Sequence, residues 1–369
     1  MKIRRNTAFV AIAIFLSFIF NSNAQRALFE PDDGRVLLVI GQDMGAIGGF
    51  AAPNNNGYVD HISVVPGGVT TYLALPRLAG LETRINHGAG YLCAQSILDN
   101  PIYAHSALAI GLYFVNQENK VAQGALDSEI TRLGNWIKTS NRPVLLRIGY
   151  EFDGHWNHYD PVAYKKAFQR IVTLLRGLQV KNCAMVWQAC TSPFNHHKDI
   201  AQWYPGDDYV DWMGYSWFLS SPKQIELTDE LVGFARAHKK PVMVCESAPQ
   251  GYDTARLTHR NLSSGKEPKT VVPETIWNDW YIPYFDYLEK NKDAIKIVAY
   301  INVNWDAQLM WGYPYWQGYW GDSRVEANDY LKTKWLETIS QKRWRHASPT
   351  LFSELGFTPA PAPIPQSPK

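Results

Sequence analysis

The chain has 369 residues, 46% of them apolar, enough for one large domain or two ordinary ones. Its 36 basic and 34 acidic residues leave a formal charge of +2, which argues against nucleic acid as a partner, because that function leaves a basic footprint. The four cysteines, Cys93, Cys183, Cys190 and Cys245, show no CxxC spacing, so zinc and redox motifs are disfavoured and small buried residues are expected.

The first element reads as an export signal. Lys2, Arg4 and Arg5 precede an apolar run from Ala8 to Phe20, and Ser22-Asn23-Ala24 offers the small residues a signal peptidase reads. Residues 1–24 are therefore expected to be cleaved after Ala24, giving a secreted product (periplasmic or extracellular). The run is shorter than the ~20 residues a spanning helix needs. No later segment is apolar enough to span a bilayer, so no membrane span is expected.

Short β-rich runs then alternate with helical patterns. Arg35 to Ile40 is a nearly continuous apolar run, as expected for a strand buried on both faces. Val69 to Leu75 and Ala107 to Val115 are the second and third strands. Asp127 to Ser140 reads as a helix with Ile130, Leu133, Trp136 and Ile137 on one face. Val144 to Ile148 is the fourth strand. Asp160-Pro161 opens a helix, with Asp as N-cap and Pro at the first position. Ala184 to Gln188 is the fifth strand, and Tyr209 to Tyr215 carries the sixth. A helix from Leu227 to His238, a seventh strand from Val242 to Cys245, a helix from Trp277 to Lys290 and an eighth strand from Ile295 to Val303 complete the series.

Eight such strands predict an α/β fold, a (β/α)8 TIM barrel over residues 25–356. The competing doubly wound sheet would place a Gly-rich phosphate loop after an early strand, and Gly41-Gln42-Asp43-Met44-Gly45 lacks that spacing. Residues 357–369 are rich in Pro and Ala and read as an extended, poorly ordered tail.

In such a barrel, functional groups sit where strands end, on the C-terminal face. Glu151 follows the fourth strand, within Gly149-Tyr150-Glu151-Phe152-Asp153-Gly154-His155-Trp156. Glu246 follows the seventh. Other strand ends carry Gln42 and Asp43, Tyr215 and Trp217, and Asn304, Trp305 and Asp306. Two carboxylates so placed suit glycoside hydrolysis, in which one must donate a proton and the other must be ionised. Tyr150, Phe152 and Trp156 would desolvate Glu151 and raise its pKa. Arg147 and Tyr215 would hold Glu246 ionised. The 14 Trp, 20 Tyr and 15 Phe can fill a core or stack on sugar rings, and composition does not separate the two uses.

The segments Arg147 to Trp156, Trp203 to Gly214 (WYPGDDYVDWMG) and Lys240 to Glu246 (KPVMVCE), with Ile40-Gly41-Gln42, resemble glycoside hydrolase family 26 of clan A. The resemblance covers most of residues 35 to 340. It implies a retaining, endo-acting enzyme with Glu151 as acid/base and Glu246 as nucleophile. It also implies that Tyr215 hydrogen-bonds the nucleophile and that Trp305 floors the subsite of the cleaved sugar. Gln42, Arg147, Tyr150, His155, Trp156, Trp217 and Asn304 complete the expected substrate-binding set. Family members act mainly on β-mannans, some on β-1,3-xylan or mixed-linkage β-glucan, and an algal galactan is a further candidate. The chain departs from the family in having Tyr150 where His is usual, Asp153 where Asn is usual, and Tyr113-Phe114-Val115-Asn116 in place of a Trp-His pair.

A polysaccharide is thus the expected partner of a monomer, with no cofactor and no metal. His155, His158, His196 and His197 with Asp199 lack metal-ligand spacing, and His155 and His196 are expected to line the groove. Trp311 to Trp320 is either a cleft wall or a packed lid. Ser247 lacks a G-x-S-x-G elbow, which disfavours a serine hydrolase. The rival readings are a non-catalytic carbohydrate-binding barrel and a metal-dependent hydrolase or deacetylase.

Overall fold

The computed structural model describes residues 26–194, 199–260, 267–311 and 320–361. The signal segment, His196, His197, the interior of the Trp311–Trp320 stretch and the last eight residues lie outside them.

Eight parallel strands run in chain order around one closed sheet. They are β1 (Val36–Gly41), β2 (Gly68–Ala74), β3 (Ala107–Tyr113), β4 (Val144–Ile148), β5 (Cys183–Ala189), β6 (Trp212–Trp217), β7 (Val242–Ser247) and β8 (Ile295–Ile301). β8 pairs back onto β1 from Leu37↔Ile297 to Gly41↔Ile301. That closure excludes the doubly wound alternative, whose sheet keeps two open edges.

The helices lie outside. α1 (Asp127–Ser140) and α2 (Pro161–Gly177) stand where the apolar stripes place them, and Asp160 Oδ1 caps α2 by accepting from Ala163 N at 2.8 Å. α3 (Pro222–Ala237) begins five residues before the expected Leu227. Ser221 caps it and Pro222 occupies its first turn, so the Ser-Pro pair was the start signal. α4 (Ile282–Lys290) follows a π-helical turn, Trp277–Tyr281, and α5 (Asp329–Ile339) precedes the C-terminal segment. No helix among the described residues is long and apolar enough to cross a membrane.

Side chains alternate along each strand. One set, including Leu37, Val39, Ala109, Leu145, Val186, Trp212, Met243 and Ile297, fills the barrel interior. The other set packs against the helices. The interior cluster continues into Phe29, Leu351, Phe352 and Leu355, and Trp212 Nε1 donates to Leu28 O at 2.8 Å. These residues seal the N-terminal mouth, leaving the C-terminal face for the site.

The tail expectation needs correction at its start. Phe357 packs edge-on against Phe29 at 6.0 Å and contacts Phe352 at 6.3 Å. Ala360 exchanges two 2.8 Å hydrogen bonds with the Asn141 side chain. The folded unit therefore extends past residue 356, because Phe357 has an apolar floor to cover.

Candidate active site

The loop after β4 is built to present one side chain. Gly149 has φ +58°, and a Cβ there would lie 2.6 Å from Tyr164 and 2.8 Å from Phe114, so only glycine fits. Glu151 itself has φ +51°, a left-handed conformation that costs a non-glycine residue on the order of 1 kcal/mol. The surroundings hold it there. Asn157 Nδ2 donates to the carbonyls of Tyr150 (3.1 Å) and Glu151 (2.9 Å). Phe152 N donates to Gln188 O, and Phe152 stacks on Trp187 with ring centres 4.4 Å apart. Asp153, one of the family departures, accepts from Cys190 N at 2.7 Å and from Cys190 Sγ at 3.4 Å. The carboxylate thus pins this loop to the end of β5.

The Glu151 carboxyl is buried, with two donors among the described residues. Ser216 Oγ donates to Oε1 at 2.7 Å, and Trp156 Nε1 donates to Oε2 at 3.1 Å. Burial, then the nearby charge of Glu246, push its pKa up to about 8; the Ser216 and Trp156 hydrogen bonds pull the other way. Glu151 therefore holds a proton at neutral pH.

Glu246 reaches the same space through a bulge. Tyr215 pairs with Val244, yet the next residue, Ser216, pairs with Glu246, so Cys245 is extra. Cys245 belongs to the interior cluster, and strict alternation would have turned Glu246 outward to the helices. The extra residue shifts the parity and puts Glu246 beside Ser216. Arg147, fully buried on β4, donates Nη1 to Glu246 Oε1 at 3.0 Å and to Cys245 O at 3.1 Å. Its guanidinium lies over the rings of Tyr72 (4.8 Å) and Tyr150 (5.3 Å). Gly111 makes room for this layer, since a Cβ there would meet the Tyr72 ring at 2.6 Å.

A buried ion pair is costly to break from one side. Arg147→Met is expected to destabilise the fold by about 3–5 kcal/mol. The double variant Arg147→Met/Glu246→Gln should be less destabilised than Arg147→Met alone. Urea midpoints at unchanged m-value decide this, and equal destabilisation would show that the pair is not coupled.

The remaining expected site residues divide. Tyr150 is half-buried against Tyr72 and Tyr113. His155 is exposed with its ring against Trp156, which is itself 37% exposed. Gln42 is buried at the end of β1, and its Nε2 has no partner among the described residues.

Tyr215 and Trp217 are corrections. The sixth strand runs from Trp212 to Trp217 rather than from Tyr209 to Tyr215, and these two residues occupy its outward positions. The Tyr215 hydroxyl has no partner among the described residues and is not bonded to Glu246. Trp217 packs on Tyr284 and Tyr287 of α4. The inward residue between them is Ser216, which sequence reasoning missed; period-2 parity from Trp212 would have found it. Gln188, which donates Nε2 to Ser216 Oγ at 3.1 Å, was missed as well.

Trp305 is also a correction. It is 1% exposed, covered by Phe218, Trp311 and Trp320, with Nε1 donating to Ser323 Oγ. It packs the loop base and offers no open platform. Asn304 caps the turn that follows it, accepting from Ala307 N at 3.2 Å. Ser247 faces the helices and donates to Ala299 O, and the four cysteines are buried thiols.

A closed parallel barrel whose C-terminal end brings together a protonated glutamate and a salt-bridged one, beside an accessible indole, has the equipment of a glycoside hydrolase. Residues 112–258, which hold both glutamates, match the model for glycosyl hydrolase family 26. A β-1,3-xylanase from an Alcaligenes species is 34% identical over 350 residues, covering 94% of this chain and 72% of that protein. A β-1,3-xylanase from a Vibrio species is 33% identical over 350 residues, covering 94% and 74%. Among solved structures, a modular endo-β-1,4-mannanase from Cellulomonas fimi superposes with a TM-score of 0.59 at 13% identity, covering 93% of this chain and 82% of that one. A family 26 β-mannanase from Bacteroides ovatus gives 0.55 at 14% identity, covering 85% and 91%. The mannanases share the fold. The chain belongs to glycosyl hydrolase family 26 and is a glycoside hydrolase.

Proposed function

We propose that this protein is an exported, retaining endo-β-1,3-xylanase in which Glu246 is the nucleophile and Glu151 the acid/base. The observation that carries the reading is the Glu151–Ser216–Glu246 arrangement. Ser216 is the cross-strand neighbour of Glu246, at a strand spacing of about 4.8 Å, and is hydrogen-bonded to Glu151. Two carboxyl groups one small side chain apart fit the short separation of a retaining pair, roughly 5–5.5 Å, better than the wider gap that admits a water.

In the first step, Glu246 attacks the anomeric carbon and Glu151 gives its proton to the departing glycosidic oxygen. The product is a glycosyl ester on Glu246. Esterification removes the negative charge that helped raise the pKa of Glu151, so Glu151 ionises more readily. It then takes a proton from the attacking water, and Glu246 leaves as a carboxylate. Retention follows from the two displacements. Export rests on the residue pattern of positions 2–24.

β-1,3-Xylan is chosen over mannan because the relatives at 33–34% identity are β-1,3-xylanases, whereas the mannanase likeness is at 13–14%. Reducing-end release should be largest on β-1,3-xylan in a panel with β-1,4-xylan, mannan, mixed-linkage β-glucan and agarose. Proton NMR of early products should show the β-anomer. Early α-anomer would overturn the retaining mechanism. Binding to the panel without turnover would favour the non-catalytic barrel.

A further inference from the structure

The mechanism above needs Glu151 in two states, carboxyl in the first step and carboxylate in the second. We propose that Ser216, held by Gln188, is a positioning residue that supports Glu151 in its carboxylate role, and so matters most in hydrolysis of the glycosyl-enzyme. The proposal rests on the two-glutamate reading.

The argument starts from hydrogen-bond inventory. A serine hydroxyl has one hydrogen to give. Gln188, on β5 and fully buried, donates Nε2 to Ser216 Oγ at 3.1 Å. That bond occupies a lone pair of Oγ and leaves the hydroxyl hydrogen for Glu151 Oε1, 2.7 Å away. Ser216 and Gln188 are both 0% exposed, so water does not replace either contact. Trp156 Nε1, which can only donate, meets the other oxygen. Glu151 thus faces a donor on each oxygen, and donors favour the charged form.

The other groups around Glu151 act in the opposite sense. Glu246 on β7 and Asp153 on its own loop are acidic and raise its pKa, after burial itself. The Cys190 and Cys245 thiols and the Tyr150 hydroxyl stand in the same electrostatic neighbourhood, each with its own pKa pushed up chiefly by burial. The cation close by, Arg147, is bonded to Glu246. Ser216 is therefore one of two contacts, among the described residues, that make Glu151 able to ionise. Its place on the strand serves geometry as well: it lies opposite the bulge that aims Glu246, so one residue sets both carboxyl groups.

The chemical consequence concerns the second half-reaction. Water attacks the anomeric carbon of the glycosyl ester, the bond from carbon to Glu246 oxygen breaks, and the water proton passes to Glu151. A carboxylate that loses a donor has a raised pKa, so less of it is ionised in the intermediate. In the first step, by contrast, the same change leaves the proton in place.

The test uses the full enzyme with Ser216→Ala, Ser216→Thr and Gln188→Leu, and the 2,4-dinitrophenyl β-glycoside of β-1,3-xylobiose. That leaving group needs no acid, so a burst of dinitrophenol reports the first step and the steady rate reports the second. Ser216→Ala should keep the burst rate within a few-fold and slow the steady rate by ten- to a hundredfold, the worth of a hydrogen bond to a charged group. KM should fall with kcat as the intermediate accumulates. The acid limb of kcat on this glycoside, and the alkaline limb of kcat/KM on β-1,3-xylan, where the leaving oxygen needs a proton, should both move to higher pH. Ser216→Thr, which keeps the hydroxyl, should recover most of the loss, and Gln188→Leu should show the Ser216→Ala pattern in weaker form. Equal loss in both phases with unmoved pH limbs would overturn the proposal and leave Ser216 a packing residue. An unchanged steady rate in Ser216→Ala would overturn it too. Failure of the two-glutamate reading is separate: it would show as full activity of Glu151→Gln on β-1,3-xylan, whatever Ser216 does.

Discussion

Glu246→Ala should lower kcat on β-1,3-xylan by on the order of 10⁴-fold or more, the largest effect expected anywhere in this protein. The reason is that the neighbouring hydroxyl cannot take the place of the missing carboxylate. Ser247 follows it in sequence, but its hydroxyl is spent on Tyr284 and Ala299 on the far side of the sheet. Arg147 would remain beneath the gap as an unpaired buried cation. An anion of suitable size should therefore bind there and react. With an activated aryl glycoside, azide is expected to restore turnover and to yield a glycosyl azide of inverted configuration, because it attacks from the nucleophile's side. Glu246→Gln serves as a control for folding, since the amide fills the same volume. Unchanged hydrolysis by either variant would remove Glu246 from the mechanism. Azide rescue giving the retained product would place the lost group on the acid/base side instead.

Glu151→Gln should cost about 10²–10⁴-fold in kcat/KM on the polysaccharide, where the leaving oxygen needs a proton. The burst on the dinitrophenyl glycoside should survive, because that leaving group departs unaided. In the native enzyme kcat/KM should fall on the alkaline side with an apparent pKa near 8, a value that belongs to the interacting pair of carboxyl groups. The variant should lose that limb.

Stability gives an independent reading of the same proton. The folded carboxyl keeps its proton up to about pH 8, while an ordinary glutamate releases it near 4.5. Between these values the folded state binds more protons than the unfolded chain, so this group's contribution to stability declines as pH rises through that window. The glutamine cannot titrate. Glu151→Gln should therefore gain in melting temperature relative to the native protein as pH rises from 5 to 8. Asp43, pushed up to about 6 by burial, has a slope of the same sign, but it is common to both proteins and cancels in the difference. A difference that stays flat with pH would mean that Glu151 is ionised throughout.

Much of the site is legible in the amino-acid sequence. Glu151 and Trp156 lie together in the loop after the fourth strand, and Arg147 reaches Glu246 from within that strand, since a parallel barrel gives every strand the same sense and gathers all eight C-terminal ends. The apolar runs mark the strands because both faces of each are buried. The errors cluster where period-2 alternation decides direction. A sixth strand read as Tyr209 to Tyr215 hides the parity in which Trp212, Gly214 and Ser216 share the inner face. Tyr215 and Trp217 then look like site residues when they are packing for α4. Trp305 misleads for another reason: an indole after a strand is apolar either way, and only its cover by Phe218, Trp311 and Trp320 distinguishes a loop base from a sugar platform.

The residues alone determined the barrel and the placing of two glutamates near strand ends, because burial patterns and strand-end positions are local properties of the chain. Which way Glu246 points was decided elsewhere. Its direction comes from one extra residue in β7 relative to β6, a register between strands that are distant in sequence. The proton on Glu151 was decided in the same way, by burial and by a negative charge on another strand. Both are sums over neighbours that only the closed sheet brings together.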